Sequence, residues 1–458
     1  MREKTTIMTD TKKKKRLSSF DIDNKWKVVI DPDNVFWGVM PERSSADPLL
    51  SGKVTTLYKK VKTKLNKEMK DFRFSSNLTA VYINPTDRCN ANCSYCYIPP
   101  VIRKNGTQMS KEQLNLVMDK IGNHFKNSRK KPVIVFHASE PLLVKDIIFD
   151  AIDEFKERFY FGLQTNALLL EKADVGFLKK HRVGVGISLD SFDHDINNRQ
   201  RPGRNGDGNF TKAVEAIGWF NGYEGLNVIT TITKLNVRHL PDLVEFLHAK
   251  KVGCVLLNPV RVTQKAALKL RPDQRILTEY FIQAVEKAME LSKNTRHTIT
   301  IGNFANIILG IIAPAGRRLM CDISPCGGGR CFLCITAQGD MIPCGEFISL
   351  NGFSGGNIFD TPISHAMRSD PFKAIRSRVV ENIAECNACD FRNICGAPCP
   401  AELYSLGNMN QPSVFCEFYK EIIRYAFKLI AEDKVKYLLR KKSLEHFEYE
   451  YKLDNLKL

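Results

Sequence analysis

No run of apolar residues in this 458-residue chain approaches the ~18 needed to span a bilayer. The N-terminal stretch "MREKTTIMTDTKKKKRLSSF" has basic residues but no apolar core behind them, so it lacks the form of a secretory signal. These two absences point to a cytoplasmic protein. There is no basic stripe interleaved with aromatics of the kind that tracks single-stranded nucleic acid. Low-complexity sequence is confined to the run Lys12–Arg16. That run and the Lys-rich segment 59–70 carry part of the net charge of +18. A Lys run reads as a solvated tail, and net charge alone fits nucleic acid, an acidic protein or peptide, or a basic proteome. Hydrophobic residues at 43% and charged residues at 26% are those of an ordinary folded protein. The length suggests roughly two to four domains.

Cysteine is what the chain has in quantity, with fourteen in all. Three fall within 89–96, one is at 254, and ten lie between 321 and 416. In a small secreted chain they would form a disulfide framework, but this chain is long and shows no signal peptide. Such clustering in a cytosolic protein favours metal or iron–sulfur ligation.

Behind a basic tail (1–20), "KWKVVIDPDNVFWGVM" reads as two strands around an Asp-Pro-Asp-Asn turn, followed by a helix over roughly 53–71. This gives a small N-terminal module over 21–77. From 78 to 310, short β-rich runs alternate with helical segments. The strands are "TAVYINP", "PVIVFHA", "FYFGLQT", "VGVGISL", "NVITTIT" and "GCVLLNPV". Candidate helices lie near 111–126, 143–157, 171–180, 210–221, 238–249 and 275–292. Apolar strands spaced by single helices predict an α/β fold with a parallel sheet and helical crossovers. Six units suit an open, partial barrel, in which chemistry gathers at the carboxyl ends of the strands. The three cysteines follow the first strand, "HASEP" the second and "QTN" the third, and "SLD" ends the fourth. Polar groups therefore collect at one rim. Residues 311–416 read as a cysteine-rich domain whose core is partly replaced by clusters, and 417–458 as a helical cap.

"CNANCSYCY" spaces Cys89, Cys93 and Cys96 as C-x3-C-x2-C. A structural zinc wants four ligands, and only His124, inside a predicted helix, follows within about thirty residues. Three thiolates can instead hold a [4Fe–4S] cubane and leave one iron open. With Tyr95 before the last cysteine, the loop resembles that of radical S-adenosylmethionine (SAM) enzymes. By this resemblance "HASEP" (His137–Pro141) occupies the place of the family's Gly-Gly-Glu-Pro motif, with Glu140 an acceptor for the methionine ammonium. Gln164, Thr165 and Asn166 match the third-strand loop. Ser188 and Arg201, with Arg199 in reserve, match positions that bind the cofactor's ribose and carboxylate, where a guanidinium fork suits a buried carboxylate.

The second block, "CNACDFRNICGAPC", resembles the SPASM extension of radical enzymes that modify peptides and proteins, as does the G-x4-C at Gly339–Cys344. The resemblance implies a partial (β/α)6 TIM-like barrel with a C-terminal SPASM domain and two auxiliary [4Fe–4S] clusters. One would use Cys326, Cys331, Cys344 and Cys399, and the other Cys386, Cys389, Cys395 and Cys416. Cys321 and Cys334 stand nearby, either able to replace Cys331 or to remain free. Cys254 reads as a buried core thiol.

The chemistry so implied is reductive cleavage of SAM to a 5′-deoxyadenosyl radical that abstracts hydrogen from a bound peptide, with a ferredoxin or flavodoxin as electron donor. Ribosomally made precursor peptides with an acidic leader are the expected substrates, and the product a thioether or carbon–carbon crosslink or a similar modification. The N-terminal module is a candidate contact for the leader. Sulfatase maturases, which make formylglycine, typically carry Asp directly after the G-x4-C cysteine, where this chain has Gly345 and then Glu346. A zinc-binding nucleic-acid-binding protein and a non-catalytic electron carrier are the readings from other classes. Neither needs a rim of Gln, Thr, Asn, Ser and Arg.

Overall fold

The structure, a computed structural model, describes residues 17–41 and 52–439. Two sheets organise it. Strands β1 (Ser18–Asp21), β2 (Trp26–Asp31) and β3 (Phe36–Pro41) form a small antiparallel sheet in that order. The long helix Gly52–Phe74 follows it. The two expected strands are β2 and β3. β1 adds a third at the end of the segment read as a tail, the rest of which lies outside the described residues. This module is fixed to the far end of the chain. Trp37 Nε1 donates to Ile311 O at 2.9 Å and Asn393 Nδ2 to Pro32 O at 2.9 Å. Phe20 meets the Phe391 ring edge-on at 4.9 Å.

The second sheet has nine strands. β4 (Ala80–Ile83), β5 (Val133–Phe136), β6 (Tyr160–Thr165), β7 (Gly184–Ser188), β8 (Leu226–Ile232) and β9 (Cys254–Pro259) are the six expected strands, all parallel and in sequence order. Helices Lys111–His124, Lys145–Phe155, Lys172–Lys180, Phe210–Phe220, Leu240–Ala249 and Gln274–Asn294 follow them in turn, each within a few residues of expectation. Their starts are set by side chains that satisfy orphan backbone donors. Ser110 and Gln113 form a capping box, and Asp273 accepts from Arg275 N and Ile276 N.

Burial alternates along these strands. Val81, Ile83, Ile134, Phe136, Leu163, Val185, Val228 and Val255 are closed off beneath the helices. Their neighbours Tyr82, Val135, Gln164, Ser188, Thr231 and Asn258 are only half-buried. With period two, the second set shares the opposite, concave face. The strands were expected to be apolar on both faces, but this face is left partly open and turns polar toward the carboxyl ends.

Three further strands extend the sheet. β10 (Thr300–Ile301) pairs parallel with β9 at one edge. β11 (Phe332–Ile335) pairs parallel with β4 at the other, and β12 (Met341–Ile342) pairs antiparallel with β11. The cysteine-rich segment thus supplies two strands to the barrel's own sheet, and β12 leads directly to Cys344. Helix Cys416–Ala431 packs on helix Gln274–Asn294, burying Ile422, Ile423, Phe427 and Ile430. Residues 440–458 of the expected cap lie outside the described residues.

Candidate active site

The loop leaving β4 carries Cys89, Cys93 and Cys96, and backbone bonds on both sides hold it. Cys89 N donates to Arg103 O at 3.0 Å, Asn92 N to Pro202 O at 2.7 Å and Ser94 N to Gln200 O at 3.0 Å. Arg103, buried, ties Nε to Ile98 O and Nη1 to Ala91 O. Two N–H groups from outside the loop face its sulfurs: Asn166 Nδ2 is 3.9 Å from Cys89 Sγ and Arg201 Nη1 is 3.8 Å from Cys93 Sγ. Burial pushes the thiols up, Cys89 to about 12 and Cys96 to about 11. Sulfurs so buried favour a bound cation over free thiolates. Among the described residues no three or more of His, Cys, Asp and Glu converge closely enough to hold a single metal ion. Zinc would draw its sulfurs to ~2.3 Å from one point, whereas a cubane takes each thiolate on a different iron. The three-cysteine loop with N–H groups facing its sulfurs fits a cubane.

The rim around the loop is built from strand ends. Ala138 and Ser139, at the places where the family motif has two glycines, hold φ of +69° and +48°. Left-handed backbone there is costly for residues with a Cβ and persists only where its surroundings impose it. Ser139 Oγ donates to Asp87 O at 2.7 Å. Glu140 is fully buried and engaged on both oxygens. Oε1 accepts from Leu142 N at 3.1 Å and Thr165 Oγ1 at 2.8 Å, and Oε2 accepts from Asn166 N at 2.8 Å. Burial raises its pKa to about 7, against the pull of these three donors. Glu140 therefore braces the third-strand loop, so Asn166 is held where its amide reaches both Asn90 and Cys89.

Gln164 and Ser188 lie on the half-buried, concave face of the sheet. Gly186 makes room for Gln164: a Cβ there would stand 2.8 Å from Ile229 Cδ1 and 3.3 Å from Gln164 Cγ. Arg201, of the two candidate arginines, is at the loop. It pairs through Nε with Asp190 at 2.9 Å and lies 5.5 Å over the Tyr95 ring. Tyr95 OH donates to the same Asp190 oxygen at 2.6 Å. Arg199 is exposed and lines an outer pocket with Ser94. Sequence reasoning quoted Asp190 only as the end of "SLD", although it holds Tyr95 and Arg201 together. It missed Asn209, whose Nδ2 ties Asn166 O to Ser188 O at 2.9 Å each. An Asn before a helix carries no local sign of such a task.

The other cysteines fall into two groups. Cys386, Cys389, Cys395 and Cys416 line one pocket, as expected. Around the start of the cysteine-rich segment, Cys326, Cys344 and Cys399 share one apolar cluster with Cys334. Cys321 is exposed at the edge of this group, yet Cys326 and Cys399 are among the neighbours that push its thiol up, and Cys321 and Cys399 are among those acting on Cys344. Cys331 has only Cys326 beside it among thiols, and it lines a different pocket with Glu68, Asp71 and Arg318. Cys334 is a fully buried β11 residue opposite Tyr82. Cys254 starts β9 and is half-buried rather than closed off.

Residues 83–247 match the Radical SAM superfamily, and residues 326–390 match SPASM, an iron–sulfur cluster-binding domain. The chain belongs to the radical SAM superfamily. It is 41% identical to an uncharacterized protein of Archaeoglobus fulgidus over 96% of this chain and all of that one. It is 22% identical to the cysteine-type anaerobic sulfatase-maturating enzyme of Clostridium perfringens (strain 13 / Type A), over 74% of this chain and 93% of that enzyme. In fold it is similar to Streptococcus suis SuiB bound to its precursor peptide SuiA, with a TM-score of 0.56, 15% identity, and coverage of 87% of this chain and 98% of that one.

Between the radical SAM loop and the SPASM cysteines, Tyr97 OH, His137 Nδ1 and Glu346 Oε2 are buried without a hydrogen-bond partner among the described residues, and Glu402 Oε2 lies 3.5 Å from Arg261 Nη1. Gly345 opens this space, since a Cβ on it would sit 3.3 Å from His137 Nδ1 and 3.8 Å from Tyr97 OH. Burial drops the His137 pKa to about 4, leaving a neutral imidazole at ordinary pH. Burial also raises Glu346, while Arg261 pulls it down. Unpaired polar groups are costly when buried, and three of them gather here between the two cysteine regions.

Proposed function

We propose that the protein is a peptide-modifying radical SAM maturase that installs a crosslink or a similar change in a ribosomally made precursor. The observation that carries this reading is the group of buried, unpartnered polar atoms on Tyr97, His137 and Glu346, between the Cys89–Cys96 loop and Cys344. When bound, the cluster and SAM supply a carbon-centred radical that removes hydrogen from an unactivated carbon. The protein's part is positioning and exclusion of water. Cys89, Cys93 and Cys96 hold the cluster. Asn166 and Arg201 direct N–H groups at its sulfur side, where Gln164, Ser188 and Arg201 would also meet SAM. Glu140 keeps Asn166 in place. Cys386, Cys389, Cys395 and Cys416 would hold one auxiliary [4Fe–4S] cluster, and Cys326, Cys344 and Cys399 the other, with Cys321 as fourth ligand in preference to Cys331. The basic surface suits an acidic leader, which the N-terminal module would help to hold. Chemistry of this kind needs the reducing conditions of the cytoplasm.

Formylglycine formation is the second reading. It is favoured by one observation: Glu346, two residues beyond Cys344, is buried with Oε2 unpartnered. Coexpression with short precursor peptides encoded nearby, followed by mass spectrometry, tests both. Loss of hydrogen with retention of sulfur supports crosslinking, and exchange of a cysteine's sulfur for oxygen supports formylglycine. Reduced protein that forms no 5′-deoxyadenosine from SAM would sink both readings.

A further inference from the structure

One surface beside the cluster loop is built from cations alone. The pocket that contains Ser94, which lies between Cys93 and Cys96, is also lined by Arg199, Lys234, Lys265 and Lys269. Its remaining lining is apolar, and no carboxylate takes part. All four cations are exposed, and none is in an ion pair among the described residues. Leu268, between two of the lysines, is 48% exposed. Lys234 N donates to Leu270 O at 2.8 Å, so the segments bearing the lysines are joined, and Ser94 is held by Gln200 O.

Other lysines lie beside carboxylates, as Lys111 does beside Asp150 and Lys145 beside Asp174, whereas no carboxylate lines this pocket. Four unpaired cations around an apolar centre repel one another, and they give the long-range field that draws in a negative partner. The position decides what kind of partner. A body seated here lies against the backbone between two cluster cysteines, on the outside of a loop whose inner face holds Asn166 and Arg201. Small, polar-rimmed contacts with an apolar middle are typical of transient electron-transfer encounters.

We propose that this pocket docks a small acidic one-electron carrier, a flavin or iron–sulfur protein, that reduces the cluster held by Cys89, Cys93 and Cys96. One electron leaves the carrier, which is oxidised, and the cluster is reduced by one; no atom crosses the interface. The inference rests on the proposed radical SAM chemistry only for the identity of the acceptor.

The test uses the full-length, cluster-loaded protein and the triple variant Lys234→Glu, Lys265→Glu, Lys269→Glu. Binding of an acidic flavodoxin is measured by calorimetry, and 5′-deoxyadenosine formation is measured with either reduced flavodoxin or dithionite. The expected result is a loss of flavodoxin affinity of about tenfold or more, with a matching fall in flavodoxin-driven turnover. Dithionite-driven turnover stays within about twofold, and added salt weakens only the wild-type complex. Unchanged flavodoxin affinity, or an equal loss with dithionite, overturns the proposal. So does a variant that binds flavodoxin normally but loses affinity for an acidic peptide substrate. If wild-type protein makes no 5′-deoxyadenosine even with dithionite, the proposed function fails and the calorimetric arm alone decides the docking site.

Discussion

Arg201 Nε lies 2.9 Å from a carboxylate oxygen of Asp190, and both groups are nearly closed to solvent. The pair closes the connection that follows β7 on itself and sets the guanidinium against Cys93 and the Tyr95 ring. Removing one partner leaves a buried charge alone, which is far costlier than losing a surface pair. Asp190→Asn should cost about 3 kcal/mol of stability, read by urea unfolding under anaerobic conditions. It should also change the electron paramagnetic resonance spectrum of the reduced cluster. A variant with wild-type stability and an unaltered spectrum would show that the pair does not hold the loop.

Glu140 accepts three hydrogen bonds, so Glu140→Gln turns an amide NH2 toward a donor. Leaving one buried group unsatisfied costs about 1–3 kcal/mol. Asn166 should shift away from Cys89, and SAM affinity, measured by equilibrium dialysis, should fall. Unchanged SAM affinity would mean the bracing role is wrong.

The two candidate fourth ligands separate by iron content. Three cubanes give about 12 iron per chain. Cys331→Ala should keep that number, and Cys321→Ala should drop it toward about 8. The opposite pattern would restore the ligand set that the family resemblance implies.

His137 gives a pH dependence with a definite sign. Its folded pKa, about 4, is below the ordinary 6.5, so between these values the unfolded chain binds the extra proton. Stability therefore rises with pH through this window and falls as the solution is acidified below 6.5. Going from pH 7 to 5.5 should lose about 1.4 kcal/mol at this residue. His137→Gln should flatten that part of the profile in anaerobic urea titrations. An equal slope in both proteins would place the dependence elsewhere.

The barrel was legible because each of β4–β9 is a short apolar run with its own helix behind it, and local pattern suffices for such units. The rim was legible because its polar residues sit at the strand ends. β11 and β12 were not, since "FLCI" and "MI" are too short to carry a period, and their pairing spans some 250 residues from β4. The choice between Cys331 and Cys321 stayed open in the sequence for a related reason. Spacing along the chain does not reveal which way a side chain turns, and Cys331, just ahead of β11, turns to the other pocket. Asp190 and Asn209 act through contacts that the folded rim alone creates.

β11 lies hydrogen-bonded along β4, with Cys334 opposite Tyr82 and Ile335 opposite Ile83. β4 ends just before the Cys89 loop, and β11 runs on through β12 into Cys344. The two cysteine regions therefore share one backbone ladder rather than meeting across a hinge. Moving one cysteine region away from the other would mean breaking that ladder. Trimming the chain at residue 310 to obtain a minimal barrel would strip β4 of its neighbour. That would expose a bare strand edge, a template for aggregation, on the strand that carries the active-site loop.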